Sequence, residues 1–353
     1  MIISRIVVLA AVLGGLGACS RPDAGRAPEE DRPLVDLARF DATFDSLGTI
    51  VLEERGNALS VAPIVQPEPG GGFLVVDQKE AQGRIYDPRG RLLHTFGRAG
   101  EGPGEFTAPI SARRTPSGKL LVADAMGERL TLLDSVGQRV VGTWSIPILP
   151  IYGALPLSES RVLVLGRNPE ANARTRLLHV WDLAGKQAIQ SFFPAPGPDE
   201  IQEVAASIAW AGALSRDGSL AAIFSLSDTV YEFDPAGRLA RRVRIPFRAF
   251  GRFSLPSDAA RADPVARMRW MEKVVRVFDI HPRPDGGYLV QYLHTRGNER
   301  EWGLVAMTRD GRRTFDLART PRLLAVRGDT LYFVDPRGEV PNRWRIARIR
   351  AAR

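Results

Sequence analysis

The sequence predicts an all-β fold of similar antiparallel sheets, because two markers recur along the 353-residue chain. The first marker is a turn residue followed by a short apolar strand, as in Gly72–Asp77 and Gly118–Asp124. One short unit therefore repeats through most of the chain, and the marker is found six times in all. The four other copies begin at Ser160, Gly218, Gly287 and Gly328.

The second marker is an Asp-x-x-Gly turn after an alternating strand. Asp can accept hydrogen bonds from backbone N–H groups and Gly can adopt positive φ, so the pattern suits a tight turn. The copies recur about every 50 residues, a length typical of a propeller blade. Since one blade cannot bury both of its faces alone, we expect a six-bladed β-propeller of four-stranded antiparallel blades. The turns are Asp87–Gly90, Asp134–Gly137, Asp182–Gly185 and Asp234–Gly237, with the variant Thr308–Gly311 in the fifth unit.

One stretch, Phe96–Gly137, carries the repeat most clearly. It contains a Gly/Pro linker, a short strand after Pro109, a turn, an apolar strand and an alternating strand. This stretch resembles an NHL repeat, which forms one blade of a β-propeller, and the match is degenerate elsewhere in the chain. The resemblance is carried by Gly100, Gly102, Pro103, Gly104, Glu105, Phe106, Pro109, Gly118, Val122, Asp124, Asp134 and Gly137.

Two segments at opposite ends of the repeats predict how the ring closes. The last unit ends with an alternating segment, Trp344–Ile349, and no further strand follows it. Thr49–Glu54 alternates in the same way. We therefore expect 49–54 to pair with 344–349 as the missing outer strand, within a propeller that spans 34–353.

The fifth unit is too long for the repeat, and the excess predicts a short helical insertion within 256–275. Asp263 suits an N-cap and Pro264 suits the first helical position. Val265 and Val275 lie on an approximate apolar stripe. The helix could brace the propeller rim or cover the axial channel, and the sequence leaves both roles open.

The N-terminus predicts export and lipid attachment. Arg5 precedes a short apolar segment, Ile6–Leu16, which suits a signal peptide and is too short for a comfortable membrane span. The following Leu-Gly-Ala-Cys resembles a bacterial lipobox, in which the cysteine becomes the lipidated first residue of the mature protein. We expect a signal peptide over 1–18, a lipid on Cys19 and a flexible polar tether over 19–33. An ordinary signal peptide with a chance cysteine is the alternative.

Cysteine and charge content limit the location and the partners. Cys19 is the only cysteine, so no internal disulfide can form, and lipidation would consume this thiol. Ser20 follows it, and the enterobacterial sorting rule then implies the outer membrane, facing the periplasm. The net charge of +8 comes from scattered arginines without a dense basic run, which argues against nucleic-acid binding. We expect a monomer.

The predicted binding surface is one face of the propeller. The loops between the second and third strands of each blade share this face with the inter-blade linkers, and here they are rich in Arg and Asn. Arg recognises carboxylates and phosphates bidentately, so we expect an anionic or saccharide-like ligand, or an envelope protein. Solvated loop charge is the alternative. The candidate residues are Arg84, Arg129, Arg167, Asn168, Arg174, His294, Arg296 and Arg343, with His294 predicted to begin a loop.

Two classes of function fit these patterns. NHL-like propellers most often bind or scaffold other molecules, which implies a non-enzymatic module without a cofactor. Some six-bladed relatives, the gluconolactonase-like and amidating-lyase-like families, carry an axial divalent metal, which implies a lactonase-like hydrolase or lyase with Ca²⁺ or Zn²⁺. Asp77, Asp124 and Asp335 recur at equivalent blade positions, where the repeat also favours Asp for turn capping. No motif indicates a catalytic residue.

Overall fold

A six-bladed β-propeller of four-stranded antiparallel blades is present, as predicted. Five blades each consist of four consecutive strands, and the sixth combines the last three strands with the first. The core lies between the blades rather than within any one of them. The computed structural model describes residues 35–60, 63–148, 151–166, 176–194, 210–214, 219–247, 257, 263–296, 299–336 and 341–350.

The signal segment, Cys19 and the tether lie outside the described residues. Within the described ranges, no helix is both long and apolar enough to cross a bilayer. Export and lipid attachment therefore stay predictions from the sequence.

The strands of a blade follow one another outward from the axis. The first strands contact each other in turn from blade 6 through blade 1 to blade 5, which places them innermost around an axial channel. The first strand of the chain, β1 (Phe44–Val51), is the exception because it joins blade 6 as its outer strand.

The other strands follow chain order. Blade 1 has β2 (Ile64–Pro67), β3 (Phe73–Asp77), β4 (Gln82–Tyr86) and β5 (Leu92–Phe96); blade 2 has β6 (Pro109–Arg114), β7 (Leu120–Asp124), β8 (Arg129–Leu133) and β9 (Val140–Ser145); blade 3 has β10 (Ile151–Pro156), β11 (Arg161–Gly166), β12 (Arg176–Asp182) and β13 (Gln187–Pro194). Blade 4 has β14 (Trp210–Leu214), β15 (Leu220–Phe224), β16 (Thr229–Phe233) and β17 (Leu239–Arg244); blade 5 has β18 (Arg276–Pro282), β19 (Tyr288–Arg296), β20 (Glu299–Met307) and β21 (Arg313–Thr320); blade 6 has β22 (Leu323–Arg327), β23 (Thr330–Val334), β24 (Arg343–Ile349) and β1.

The ring closes through β1 and β24, which pair antiparallel with Ile50 opposite Trp344 and Phe44 opposite Ile349. The closing strand occupies 44–51 rather than the predicted 49–54. A register shift between Ser46 and Gly48 breaks the alternation of its first half, which explains why the sequence pattern did not reveal that part.

A short helix, α1 (Leu37–Thr43), precedes β1. The Asp36 carboxylate caps it by accepting a hydrogen bond of 3.0 Å from the Arg39 N–H. Phe40 is fully buried and lies edge-on to Phe333, with 5.0 Å between ring centroids. The helix therefore seals the junction between blades 5 and 6, although mixed periodicity had left it unassigned in the sequence.

The apolar core is divided into six clusters, and each fills the space between two neighbouring blades. The cluster between blades 6 and 1 shows the packing. There the fully buried Trp344 indole lies edge-on to Phe73, with 5.2 Å between centroids and an interplanar angle of 89°. Each blade is thus stabilised by its neighbours, as expected for units that cannot fold alone.

The predicted Asp-x-x-Gly turns join the third and fourth strands of their blades. Gly90, Gly137 and Gly237 donate their N–H groups to the Asp carbonyl three residues earlier, at 2.8–3.1 Å, and all three have φ near +80°. Blade 3 differs, because its turn places Lys186 rather than Gly185 at positive φ. This turn needs no positive φ at its fourth residue, Gly185, so the same sequence motif adopts two backbone geometries.

The insertion forms one helix among the described residues, α2 (Pro264–Lys273), shorter than the predicted range 256–275. Asp263 is the N-cap, as predicted, and accepts a hydrogen bond of 2.9 Å from the Val265 N–H. Val274 is buried in the apolar cluster between blades 3 and 4, and Trp270 packs against that cluster. Val265 is 54% exposed, so it does not belong to the buried stripe. The contacts of α2 fasten it to the propeller.

Candidate functional site

The predicted binding surface is the end of the propeller that holds the inter-blade linkers, and we call it the linker face. Arg129 lies there at the start of β8. Its Nη1 and Nη2 donate to the carbonyl oxygens of Glu101 and Glu105 at 2.7 Å each, and Nη2 lies 3.6 Å from the Asp124 carboxylate. Arg129 therefore fastens the Gly/Pro linker between blades 1 and 2.

Two further candidates also hold segments of the chain. Arg84 is fully buried in β4, and its Nη2 donates to the Asn57 carbonyl oxygen at 2.6 Å, in the linker that leads into blade 1. Arg343 donates from Nε to the Asp335 carboxylate at 2.7 Å within blade 6. The guanidinium groups of Arg84 and Arg343 are therefore held in place by a backbone carbonyl oxygen and a carboxylate of the protein itself.

The remaining candidates are described in part or not at all. His294 is partly buried within β19, opposite Glu301, because this strand extends to Arg296; the prediction that His294 begins a loop is wrong. Only the backbone of Arg296 is described. Arg167, Asn168 and Arg174 lie outside the described residues.

The aspartates at equivalent blade positions hold the linkers. The fully buried Asp124 carboxylate accepts from the N–H groups of Thr107 and Ala108 at 2.9 and 2.8 Å. Asp77, also fully buried, accepts from the Ser60 N–H at 2.7 Å. Each carboxylate thus ties the incoming linker to the second strand of its blade. Across the described part of the chain, no group of three or more His, Cys, Asp or Glu side chains is placed to hold a metal.

An open groove of about 650 Å³ lies on the linker face of blade 2. Glu101 and Glu128, both exposed, line it together with Arg129 and the exposed side chain of Met126. Since Arg129 is bonded to the linker, the free charge of this groove is carboxylate. The groove does not have the basic character that the sequence predicts for this face.

The axial channel contains charged residues that the sequence-based candidates do not include. Arg113 lies on β6, the inner strand of blade 2, and Asp279 lies on β18, the inner strand of blade 5. Blades 2 and 5 are opposite each other in a ring of six, so an interaction between these strands crosses the axis. Burial lowers the pKa of Arg113, and the charge of Asp279 opposes that shift.

Arg322 lies just before β22, and the charge of the same carboxylate influences its pKa. Its guanidinium carbon is 5.5 Å from the ring centroid of Phe278 and 5.6 Å from that of Trp302, within cation–π range. Burial lowers the pKa of Arg322 to about 10, against the influence of Asp279, so it stays protonated at neutral pH. The two rings meet edge to face, with 4.8 Å between centroids.

His281 completes the polar lining on the inner strand of blade 5. Its Nε2 lies 3.4 Å from the Asp279 carboxylate, and its side chain is largely buried. Phe278 is 43% exposed, so an aromatic surface adjoins these polar groups. We call Arg113, Asp279, His281, Phe278 and Arg322 the axial cluster.

The axial cluster was missed because ligand-binding candidates were sought in loops and metal candidates at the repeated Asp positions, not on the first strand of each blade. The inner strand of blade 5 carries a usable signal, since Phe278-Asp279-Ile280-His281 places two polar side chains at alternate positions of an innermost strand. Arg113 gives a second signal as a charged residue in the corresponding strand of blade 2. The pairing across the axis appears only once the number of blades is known.

Comparisons with known proteins define the fold. No family model matches the sequence, and no curated protein matches it. A solved structure of a DUF4221 family member from Bacteroides vulgatus is similar, with a TM-score of 0.63, 13% identity and coverage of 87% of this chain and 98% of that one. A candidate exported protein from Bacteroides fragilis gives a TM-score of 0.62 at 12% identity, over 88% of this chain and 96% of that one.

A third similar structure is virginiamycin B lyase from Staphylococcus aureus. Its TM-score is 0.50 at 9% identity, and the match covers 87% of this chain and 100% of that one. Identities this low show a shared fold alone. The chain is therefore a six-bladed β-propeller, and its activity has to be argued from its own residues.

Proposed function

We propose that the protein is a lipid-anchored, extracytoplasmic β-propeller that binds a ligand or partner without catalysing a reaction. The Leu-Gly-Ala-Cys sequence that ends at Cys19 supports the anchor, and Ser20 favours the outer membrane, facing the periplasm. The NHL-like blade around Phe96–Gly137 supports a binding role. The likeness to a candidate exported protein is consistent with this location.

The hydrogen bonds made by the blade aspartates are the observation that favours binding over catalysis. An axial metal enzyme needs acidic side chains from several blades to converge. Asp77 and Asp124 instead accept backbone hydrogen bonds from the linkers, and Asp335 bonds Arg343. The residues that best supported a metal-dependent hydrolase or lyase therefore have a structural role.

The partner we propose is an envelope protein or a small anionic or saccharide-like ligand that approaches from the linker face. The bound arginines there shape the linkers, whereas the axial cluster presents unbalanced charge in the channel. A protein partner would contact the linkers, and a small ligand would enter the channel. We propose that the protein binds no nucleic acid and that it functions as a monomer.

Metal content tests the choice between the two classes. Purified full chain, dialysed against metal-free buffer, is expected to contain far less than one Ca²⁺ or Zn²⁺ ion per molecule by elemental mass spectrometry. The same result is expected for Asp335→Asn, which serves as the matched sample. One ion per wild-type chain that is lost in Asp335→Asn would favour the metal-dependent enzyme instead.

Replacement of the lipobox cysteine tests the anchor. Cys19→Ala is expected to abolish incorporation of a clickable fatty acid and to leave the uncleaved, slower-migrating precursor, because no other thiol is available in the chain. In-gel fluorescence and electrophoretic mobility are the measurements. Ser20→Ala should keep the label and is the control. Labelled or normally cleaved Cys19→Ala would contradict the lipid anchor.

A further inference from the structure

Arg113 is a charged side chain without a partner of its own. It makes no hydrogen bond and no ion pair within 4 Å to any residue that the structure describes, although burial among the inner strands lowers its pKa. Arg113 is of intermediate exposure, so its guanidinium is partly withdrawn from water without a protein acceptor to replace that water. A ligand in the channel would supply the missing acceptor.

The balance of charge in the axial cluster specifies that acceptor. Among the described residues, Asp279 is the carboxylate whose charge opposes the lowering of the pKa of both Arg113 and Arg322. Two guanidinium groups therefore share one negative charge, which leaves an excess of one positive charge over these three groups. A single additional negative charge would balance it, whereas a dianion would exceed that balance and repel Asp279.

The surroundings of Arg322 add an apolar component. Its guanidinium faces the rings of Phe278 and Trp302, and its Nε is buried without a partner among the described residues. Its Nη2 makes one long contact of 3.4 Å to the Pro63 carbonyl oxygen. The 43% exposed Phe278 ring remains available to a flat apolar group beside the charges.

We propose that the axial channel binds an organic monoanion whose carboxylate meets Arg113, across the axis from Asp279, and whose planar apolar part lies against Phe278. Guanidinium groups recognise carboxylates through paired hydrogen bonds, which gives the site both strength and orientation. Asp279 limits the site to weakly charged anions. The inference rests on the proposed binding role and names its ligand class.

The test is a fluorine NMR titration of the purified full chain in detergent, with para-fluorobenzoate as the probe. Wild-type protein is expected to bind the probe, and Arg113→Gln to bind it at least about tenfold more weakly. Asp279→Asn removes the competing carboxylate and is expected to tighten binding by about threefold or more. Arg238→Gln, on an exposed turn of blade 4, is the matched control and should bind as the wild type does.

Four outcomes would overturn the proposal. These are no binding of carboxylates by the wild type, unchanged binding by Arg113→Gln, weaker binding by Asp279→Asn, and inorganic phosphate displacing the probe as well as benzoate does. Thermal unfolding checks the variants, and Arg113→Gln should be at least as stable as wild type because it removes a partly buried charge that has no partner among the described residues. If wild-type protein binds no carboxylate, the proposed ligand class is wrong. The proposed function is tested separately, by the metal content and the lipid labelling of the protein.

Discussion

Truncation of Trp344 to alanine is expected to destabilise the propeller by about 3–5 kcal/mol. The indole is fully buried at the junction between the last blade and the first, where it lies edge-on to Phe73. It also donates from Nε1 to the Pro341 carbonyl oxygen at 2.9 Å. Its loss would leave a large cavity beside the pairing that closes the ring. Urea unfolding followed by circular dichroism measures the change in the free energy of unfolding.

Val51→Ala is the control for this prediction. Val51 lies on the closing strand β1, opposite Arg343, but its side chain is 54% exposed. Its truncation should change the free energy of unfolding by no more than about 0.5 kcal/mol. Equal effects of the two substitutions would mean that the closing junction is not a packed core, contrary to the structure.

Substitution of Asp124 by Asn is expected to cost about 2–4 kcal/mol. The buried carboxylate accepts hydrogen bonds from the N–H groups of Thr107, Ala108 and Gly127 and lies beside Arg129. An amide has only one acceptor oxygen, so its NH₂ group would face backbone donors, and the neighbouring Arg129 would lose its counter-charge. The midpoint of urea unfolding should fall accordingly.

Asp182→Asn provides the matched comparison for Asp124→Asn. Asp182 also accepts backbone N–H groups, from Ala184 and Gly185 at 3.3 and 3.1 Å, but it does so in a surface turn of blade 3. A change below about 1 kcal/mol is expected, since water can replace those contacts. If Asp124→Asn were as mild, the aspartates would not be fastening the linkers, and the argument against a metal role would lose its basis.

The sequence predicted the architecture because the repeat has local causes. Each Gly-initiated apolar strand and each Asp-x-x-Gly turn forms from neighbouring residues, so counting them was enough to count blades. The bounds of β1 were wrong for a reason that is also physical, since the register shift at Ser46–Gly48 breaks the alternation on which strand prediction depends. The α1 helix was not predicted because it is stabilised by the tertiary packing of Phe40 and has no clear apolar periodicity.

The candidate site was harder to predict because residue type does not reveal a partner. Arg84 and Arg129 were predicted to lie in loops, but both lie in strands, and their guanidinium groups bond linker carbonyl oxygens whose path depends on the whole ring. Arg113 and Asp279 are separated by more than two blades in sequence and interact only because the ring sets their inner strands opposite each other. Such relations are properties of the closed structure.

The pairing of β1 with β24 also has a consequence for the order of folding. Five blades consist of consecutive strands and can form as the chain emerges, because their contacts are short-range. The sixth sheet can form only after the whole chain has been synthesised, because its outer strand is the first strand of the chain and its other three strands are the last. We expect the final kinetic step of folding to be this long-range capture, during which the early strand presents an unpaired edge that could attract other chains.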